Sequence, residues 1–221
     1  VSAMRSGVGA AGPRRSGRRP VTSRVEIEHI ALDLFTRRGF DSTTVDDIAA
    51  AAGIGRRTVF RYYASKNDIP WGAFDEQLDR MRATFAALPP DVPVMHGVRA
   101  AVLDFNEVHP DEQPWHRSRL RLILGTPALQ AHSTLRYAAW RRVVADYVAS
   151  RLGVSPDDLV PQTVGHASLG VALAAYERWL GHDDGELRDL LDTVFRSLER
   201  GLTGPLGEEP RPDAEAHRPG S

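Results

Sequence analysis

The apolar positions of this chain recur with helical spacing along most of its length, and no segment alternates as a strand would. Ile27, Ile30, Ala31, Leu34 and Phe35 fall on one face, predicting a first helix from about Ser23 to Arg38. Ser23 with Glu26 has the spacing of a capping box at its start, and Gly39 ends it, with Phe40 packing back. Val45, Ile48 and Ala49 give a short second helix its apolar face. Thr44 is its N-cap, and Asp46 and Asp47 suit the dipole in its first turn. Gly53 stops this helix in a left-handed conformation that a Cβ would disfavour. Ile54 plugs the turn. A third helix begins near Arg56 and buries Val59 and Tyr63, four residues apart. Its outward face carries Arg56, Arg57, Arg61 and Tyr62.

The pattern then predicts a long helix from Lys66 to about Leu88, capped by Ser65, with Ile69, Phe74, Leu78, Met81 and Phe85 as its stripe. Pro70 is tolerable there because it lies in the first turn. A fifth helix follows Pro93 to about His109, with Val94, Val98, Val102 and Phe105 inward. Pro110 to Pro114 is a break, and a short sixth helix covers Trp115 to Leu124. Thr126-Pro127 opens a seventh helix that runs to Leu152 and stops at Gly153. Ser155-Pro156 opens another segment in the same fashion. An eighth helix spans about Pro161 to Gly181 and a ninth Asp184 to Leu202. The expected fold is therefore all-α, with about nine helices.

Composition divides the chain further. Residues 1–21 are rich in Gly, Arg, Ser and Pro without periodicity, and are expected to be a disordered basic arm; residues 203–221 are a second disordered stretch. The arm carries Arg5, Arg14, Arg15, Arg18 and Arg19 and no acid, which suits either extra phosphate contacts or a merely solvated leader. Between them lie a three-helix head, 22–66, and a helical body, 67–202. The net charge of −1 hides an asymmetry. Residues 1–66 hold 11 Arg and 1 Lys against 6 acids, whereas the remainder holds 16 Arg against 23 acids. A polyanion partner at one end only is the expectation. Cysteine is absent, which excludes disulfides and Cys-ligated metals. No apolar run approaches a membrane span and no secretory signal pattern is visible, so a cytoplasmic protein is expected.

Two short helices joined by a Gly-containing turn, the second presenting Arg outward, form the helix-turn-helix pattern. The run Thr43-Thr44-Val45-x-x-Ile48-Ala49, followed by Ala52-Gly53-Ile54-x-Arg56-x-Thr58-Val59-Phe60-Arg61-Tyr62-Tyr63-x-x-Lys66, resembles the N-terminal domain of TetR-family transcriptional regulators. Arg119 to Leu152 is similar to an actinobacterial branch of that family, which includes regulators associated with the mycofactocin cofactor system. The resemblance implies a DNA-binding head, base contacts from Arg56, Arg57 and Thr58, and phosphate contacts from Thr43, Thr44, Arg61, Tyr62 and Lys66. An arginine can pair bidentately with guanine O6 and N7, while phosphate contacts fix register without reading sequence. Gly55 departs from the polar cap common in the family, and Phe60 from the usual Tyr. The latter leaves Phe60 either to core packing or to contact with a thymine methyl.

For the body, the resemblance implies a small-molecule pocket and a four-helix dimer interface. Candidate pocket residues are Phe105, His109, Trp115, His116, Leu120, Leu124, Tyr137, Trp140 and Tyr176, though each alone could be ordinary core. Arg117, Arg119, Arg121, Arg136, Arg141 and Arg142 could hold an anionic head such as that of an acyl-CoA. Candidate dimer-face residues are Val164, Ala167, Val171, Ala175, Leu187, Leu191, Val194 and Leu198. His109, Asp111, Glu112 and His116 lie close together, and His166 and Glu177 share a helix. Neither set has the spacing of a helical metal site. No cofactor, metal or catalytic residue is expected. The reading is a homodimeric repressor released from a palindromic operator by a small molecule; the alternative is a helical ligand-binding protein or enzyme with a vestigial head.

Overall fold

The computed structural model describes residues 23–182 and 185–201. The basic arm, the C-terminal tail and the expected ends of the ninth helix at Asp184 and Leu202 lie outside them. The described residues form nine α-helices and no strand: α1 (Arg24–Arg38), α2 (Val45–Ala52), α3 (Arg56–Tyr62), α4 (Phe74–Ala87), α5 (Val94–Phe105), α6 (Gln113–Gly125), α7 (Pro127–Leu152), α8 (Leu159–Gly181) and α9 (Leu187–Glu199).

Local signals set the head. Ser23 and Glu26 close a capping box on α1, and Thr44 and Asp47 close a second on α2. Such caps contribute about 1 kcal/mol each. Gly53 ends α2 at φ 69°, in the left-handed region. Ile27, Ala31, Phe35, Ile48, Ala52, Val59 and Tyr63 then make a small core. That core is completed from outside: Ile69 and, from α7, the fully buried Leu129 belong to the same cluster. The body is a second, larger core in which α4 to α9 contribute Met81, Val98, Val102, Val144, Ala172, Leu191 and Phe195 among others.

The long helix expected from Lys66 to Leu88 is two elements. Lys66–Trp71 is a 3₁₀ turn, and α4 starts only at Phe74. Pro70 supplies no backbone N–H, and Gly72 takes φ 50°, ψ −126°, a conformation open essentially to glycine alone. An added Cβ at Gly72 would sit 2.6 Å from a Glu28 carboxylate oxygen. Ser65 does not cap the turn; its hydroxyl donates to the Asp68 carboxylate at 2.7 Å. The fifth helix also ends early, at Phe105, because Asn106 turns its side-chain amide back onto the Val102 carbonyl at 2.9 Å. Ser155-Pro156 opens a turn, not a helix. Asp158 accepts from the Ser155 amide at 3.1 Å, and α8 begins at Leu159.

Candidate nucleic-acid interface and ligand cavity

The recognition face is α3. Val59 is buried, while Arg56, Arg57, Phe60 and Arg61 are exposed and Thr58 half-buried. Phe60 is 41% exposed, so it is not core; the Arg56 guanidinium lies over its ring at 5.3 Å. Arg56 also pairs with Asp46 of α2 at 2.8 Å, so reaching a base requires leaving that carboxylate. Arg57 has no ion-pair partner among the described residues. Together with Thr58, Phe60 and Arg61 it borders an open concavity. Gly55 stands at the N-cap with no side-chain bond to the helix.

The expected phosphate contacts separate into two groups. Thr44, Arg61 and Tyr62 lie at the surface or half-buried, with the Arg61 guanidinium stacked 5.0 Å from the Tyr62 ring. Thr44 holds the Asp47 carboxyl below its ordinary range through its hydroxyl and amide bonds. Thr43 is different. It is fully buried, and its hydroxyl donates to the Gly39 carbonyl at 2.8 Å, so in this structure it fixes the α1–α2 turn and is turned away from the surface. Lys66 likewise turns inward. Its ammonium donates to the carbonyls of Phe40 at 2.8 Å and Thr43 at 3.0 Å, above the Phe40 ring.

In the body, Phe105, His116, Leu120, Tyr137, Trp140 and Tyr176 do line one cavity, partly open to solvent. His109, Trp115 and Leu124 do not line it. His109 is exposed and caps the 3₁₀ turn Pro110–Glu112. Trp115 faces the head, stacked on His29 at 4.3 Å, and Leu124 is half-buried near the end of α6. Arg119, expected to meet an anionic head, lines it as well, and the remaining wall went unpredicted: Trp71, Phe74, Gln77, Asn106, Ile123, Leu169 and Ala172. Trp71 and Phe74 flank the break at Gly72.

Arg119 connects this cavity to the head. Its guanidinium makes two bonds to Glu28 of α1, one at 2.9 Å through Nε and a shorter one through Nη2. Glu28 is buried; burial pushes its carboxyl up from the ordinary range, and Arg119 opposes that shift. The signal was present in the sequence: Glu28 stands in register with Ala31, Leu32 and Phe35, a charge on an apolar stripe. Other contacts tie α1 and the 3₁₀ turn to the rest of the body, Arg24 on Glu76 at 2.6 Å among them. His29 bonds to Glu112 at 3.0 Å, and Asp68 receives both His132 at 3.0 Å and Arg136 at 3.1 Å.

The arginine cluster expected to meet an anion is largely spent. Arg117 donates to the carbonyls of Trp179 and His182, Arg119 to Glu28, Arg136 to Asp68 and Asp75, and Arg142 to Asp146 and Asp157. Only Arg121 and Arg141 of that set lack such a partner among the described residues. On the dimer face, Ala175, Leu187 and Leu191 are buried in the chain's own core, so those three seal the bundle. Val164, Ala167, Val171, Val194 and Leu198 stay half-buried. No cluster of His, Asp and Glu among the described residues could hold a metal, and no described helix is long and apolar enough to cross a membrane.

Residues 29–69 match the family described as bacterial regulatory proteins, tetR family, and residues 92–203 match the MftR C-terminal domain. The chain belongs to the TetR family of transcriptional regulators. It is 46% identical over 188 residues to the mycofactocin biosynthesis transcriptional regulator MftR of Mycobacterium tuberculosis, covering 85% of this chain and 95% of that one. It is 29% identical to the regulator TcmR of Streptomyces glaucescens, over 95% and 93%. Among solved structures, Thermus thermophilus FadR in complex with lauroyl-CoA shares the fold at TM-score 0.53 and 22% identity, covering 87% of this chain and all of that one. FadR of Bacillus halodurans does so at TM-score 0.60 and 15% identity, over 82% and 97%. This TetR-family chain thus carries a helix-turn-helix head and a helical C-terminal domain, as its sequence predicts.

Proposed function

We propose that this TetR-family chain is a homodimeric repressor. It reads a palindromic operator with α3 and is released when a small molecule enters the body cavity. The observation that carries the reading is α3 itself: Arg57 exposed and unpaired on a helix whose opposite face, through Val59, is locked into the head's core. Arg56, Arg57 and Thr58 are the base readers, with Thr44, Arg61 and Tyr62 on phosphates. Likeness to MftR makes genes of mycofactocin biosynthesis the first candidates for control. An acyl-CoA is a candidate effector, with its acyl chain against Phe105, Tyr137 and Trp140. At 22% identity the lauroyl-CoA-bound FadR is a likeness of fold alone, so this assignment depends on the cavity's own chemistry.

The test is binding of the purified protein to DNA flanking its own gene, at two salt concentrations and with excess unrelated DNA. Discrete, competitor-resistant binding that weakens with salt is expected. Lauroyl-CoA should release it. Weak, sequence-blind association would favour a ligand-binding protein with a vestigial head.

A further inference from the structure

Two cavities meet at a pair of side chains. The aromatic cavity is bounded by His116 and Asn106, and the same two residues border a second, polar crevice. Around that crevice stand Glu107, Glu186, Asp189 and Arg188. His116 is 7% exposed, and neither Nδ1 nor Nε2 has a hydrogen-bond partner. Its neighbours are committed elsewhere. The Asn106 amide carbonyl accepts from the Tyr176 hydroxyl at 2.6 Å, its N–H₂ goes to Val102, and Arg119 is turned to Glu28. The indole N–H of Trp71, another lining residue, is also buried and unpartnered. Buried polar groups are nearly always satisfied, so such orphans on the wall of one cavity ask for a partner that enters it.

Resting on the reading of this cavity as the effector site, we infer that His116 recognises an uncharged oxygen, a carbonyl or hydroxyl, on the part of the effector that enters the cavity. The imidazole is neutral at neutral pH: burial, with the Arg119 charge assisting, pushes it down to about 4. A neutral ring offers one N–H and one lone pair, suited to an oxygen that needs no countercharge. Glu28 already answers Arg119, so a carboxylate would arrive without compensation. The polar crevice carries three carboxylates against one guanidinium and would repel an anion as well. Phe105, Ile123, Trp140 and Leu169 accept only apolar surface around that single oxygen.

Four compounds of similar size test this by calorimetric titration of the full chain: ethylbenzene, acetophenone, 1-phenylethanol and benzoate. Wild type is expected to bind acetophenone and 1-phenylethanol at least about tenfold more tightly than ethylbenzene. In His116→Phe that preference should collapse while ethylbenzene still binds. His116→Gln, which keeps a hydrogen-bonding head, should retain part of the preference and serves if the Phe variant does not fold. Equal affinity for ethylbenzene and acetophenone, or a preference that survives in both variants, overturns the inference alone. Benzoate binding most tightly overturns the uncharged assignment. Should wild type bind none of the four at millimolar concentration, the effector-cavity reading fails and this inference with it.

Discussion

Arginine is used in opposite ways on α3 and in the helical body. In the body, Arg99 pairs with Asp192 and Glu199, Arg136 with Asp68 and Asp75, and Arg142 with Asp146 and Asp157. Arg117 and Arg151 are bound by backbone carbonyls. On α3, Arg57 has no such partner, Arg61 rests on an aromatic ring, and Arg56 has a single exposed carboxylate. A cation whose countercharge is internal fixes geometry. One left to solvent gathers mobile counterions, whose release drives binding to a phosphate backbone. The same residue type therefore builds structure in one region and waits for a polyanion in the other.

The harshest way to break this comparison is to remove an internal cation. Arg119→Ala should strand the buried Glu28 carboxylate and cost about 3–5 kcal/mol in urea unfolding at pH 7. Because burial raises the folded carboxyl, the folded state takes up the proton first as pH falls. The loss should therefore shrink as pH falls, and a loss that is flat with pH would contradict the assignment.

His116 has the reverse sign. Its folded value, about 4, lies below the ordinary 6.5, so the unfolded chain protonates first and stability is lost as pH drops between those values. The loss amounts to roughly 3 kcal/mol and should be absent from His116→Phe, measured at pH 7, 5.5 and 4.5.

Smaller effects are expected on α3. Arg57→Ala should leave unfolding within about 0.5 kcal/mol of wild type. It should also remove about 1–3 kcal/mol of discrimination at one operator position, read by competition binding with single-base variants. Smallest of all, Asp46→Ala releases Arg56 from an exposed pair worth about 0–1 kcal/mol, and operator affinity should rise by no more than that. A large fall in affinity would mean that the Asp46–Arg56 pair positions the guanidinium for DNA.

The head was legible because its instructions lie within a turn or two of where they act. Ser23 with Glu26, Thr44 with Asp47, and the φ-positive Gly53 each specify a helix end from neighbouring residues. The break at Gly72 was not legible, since Ile69, Phe74, Leu78, Met81 and Phe85 also suit one continuous helix. The break falls at Pro70 and Gly72, and a distant side chain joins it there: the Glu28 carboxylate stands where a Cβ on residue 72 would lie. The cavity was legible in part for the same reason. Spacing puts Trp115 and His116 next to each other on α6, but only docking against α1 sends the indole to His29 and leaves the imidazole facing the cavity wall. Lys66 stands at the family's expected position, yet the carbonyls of Phe40 and Thr43 that hold it inward become neighbours only through tertiary folding.

The interruption at Gly72 changes what holds the head in place. Without a continuous rod from Lys66 onward, its attitude is set by separate footings: Glu28 on Arg119, His29 on Trp115 and Glu112, and Asp68 on His132 and Arg136. Arg24 on Glu76 adds another, and Leu129 packs into the head's core beside them. A mount on several pins passes load pin by pin. Because Arg119 is both a pin and part of the cavity wall, an occupant that shifts it would load that pin first.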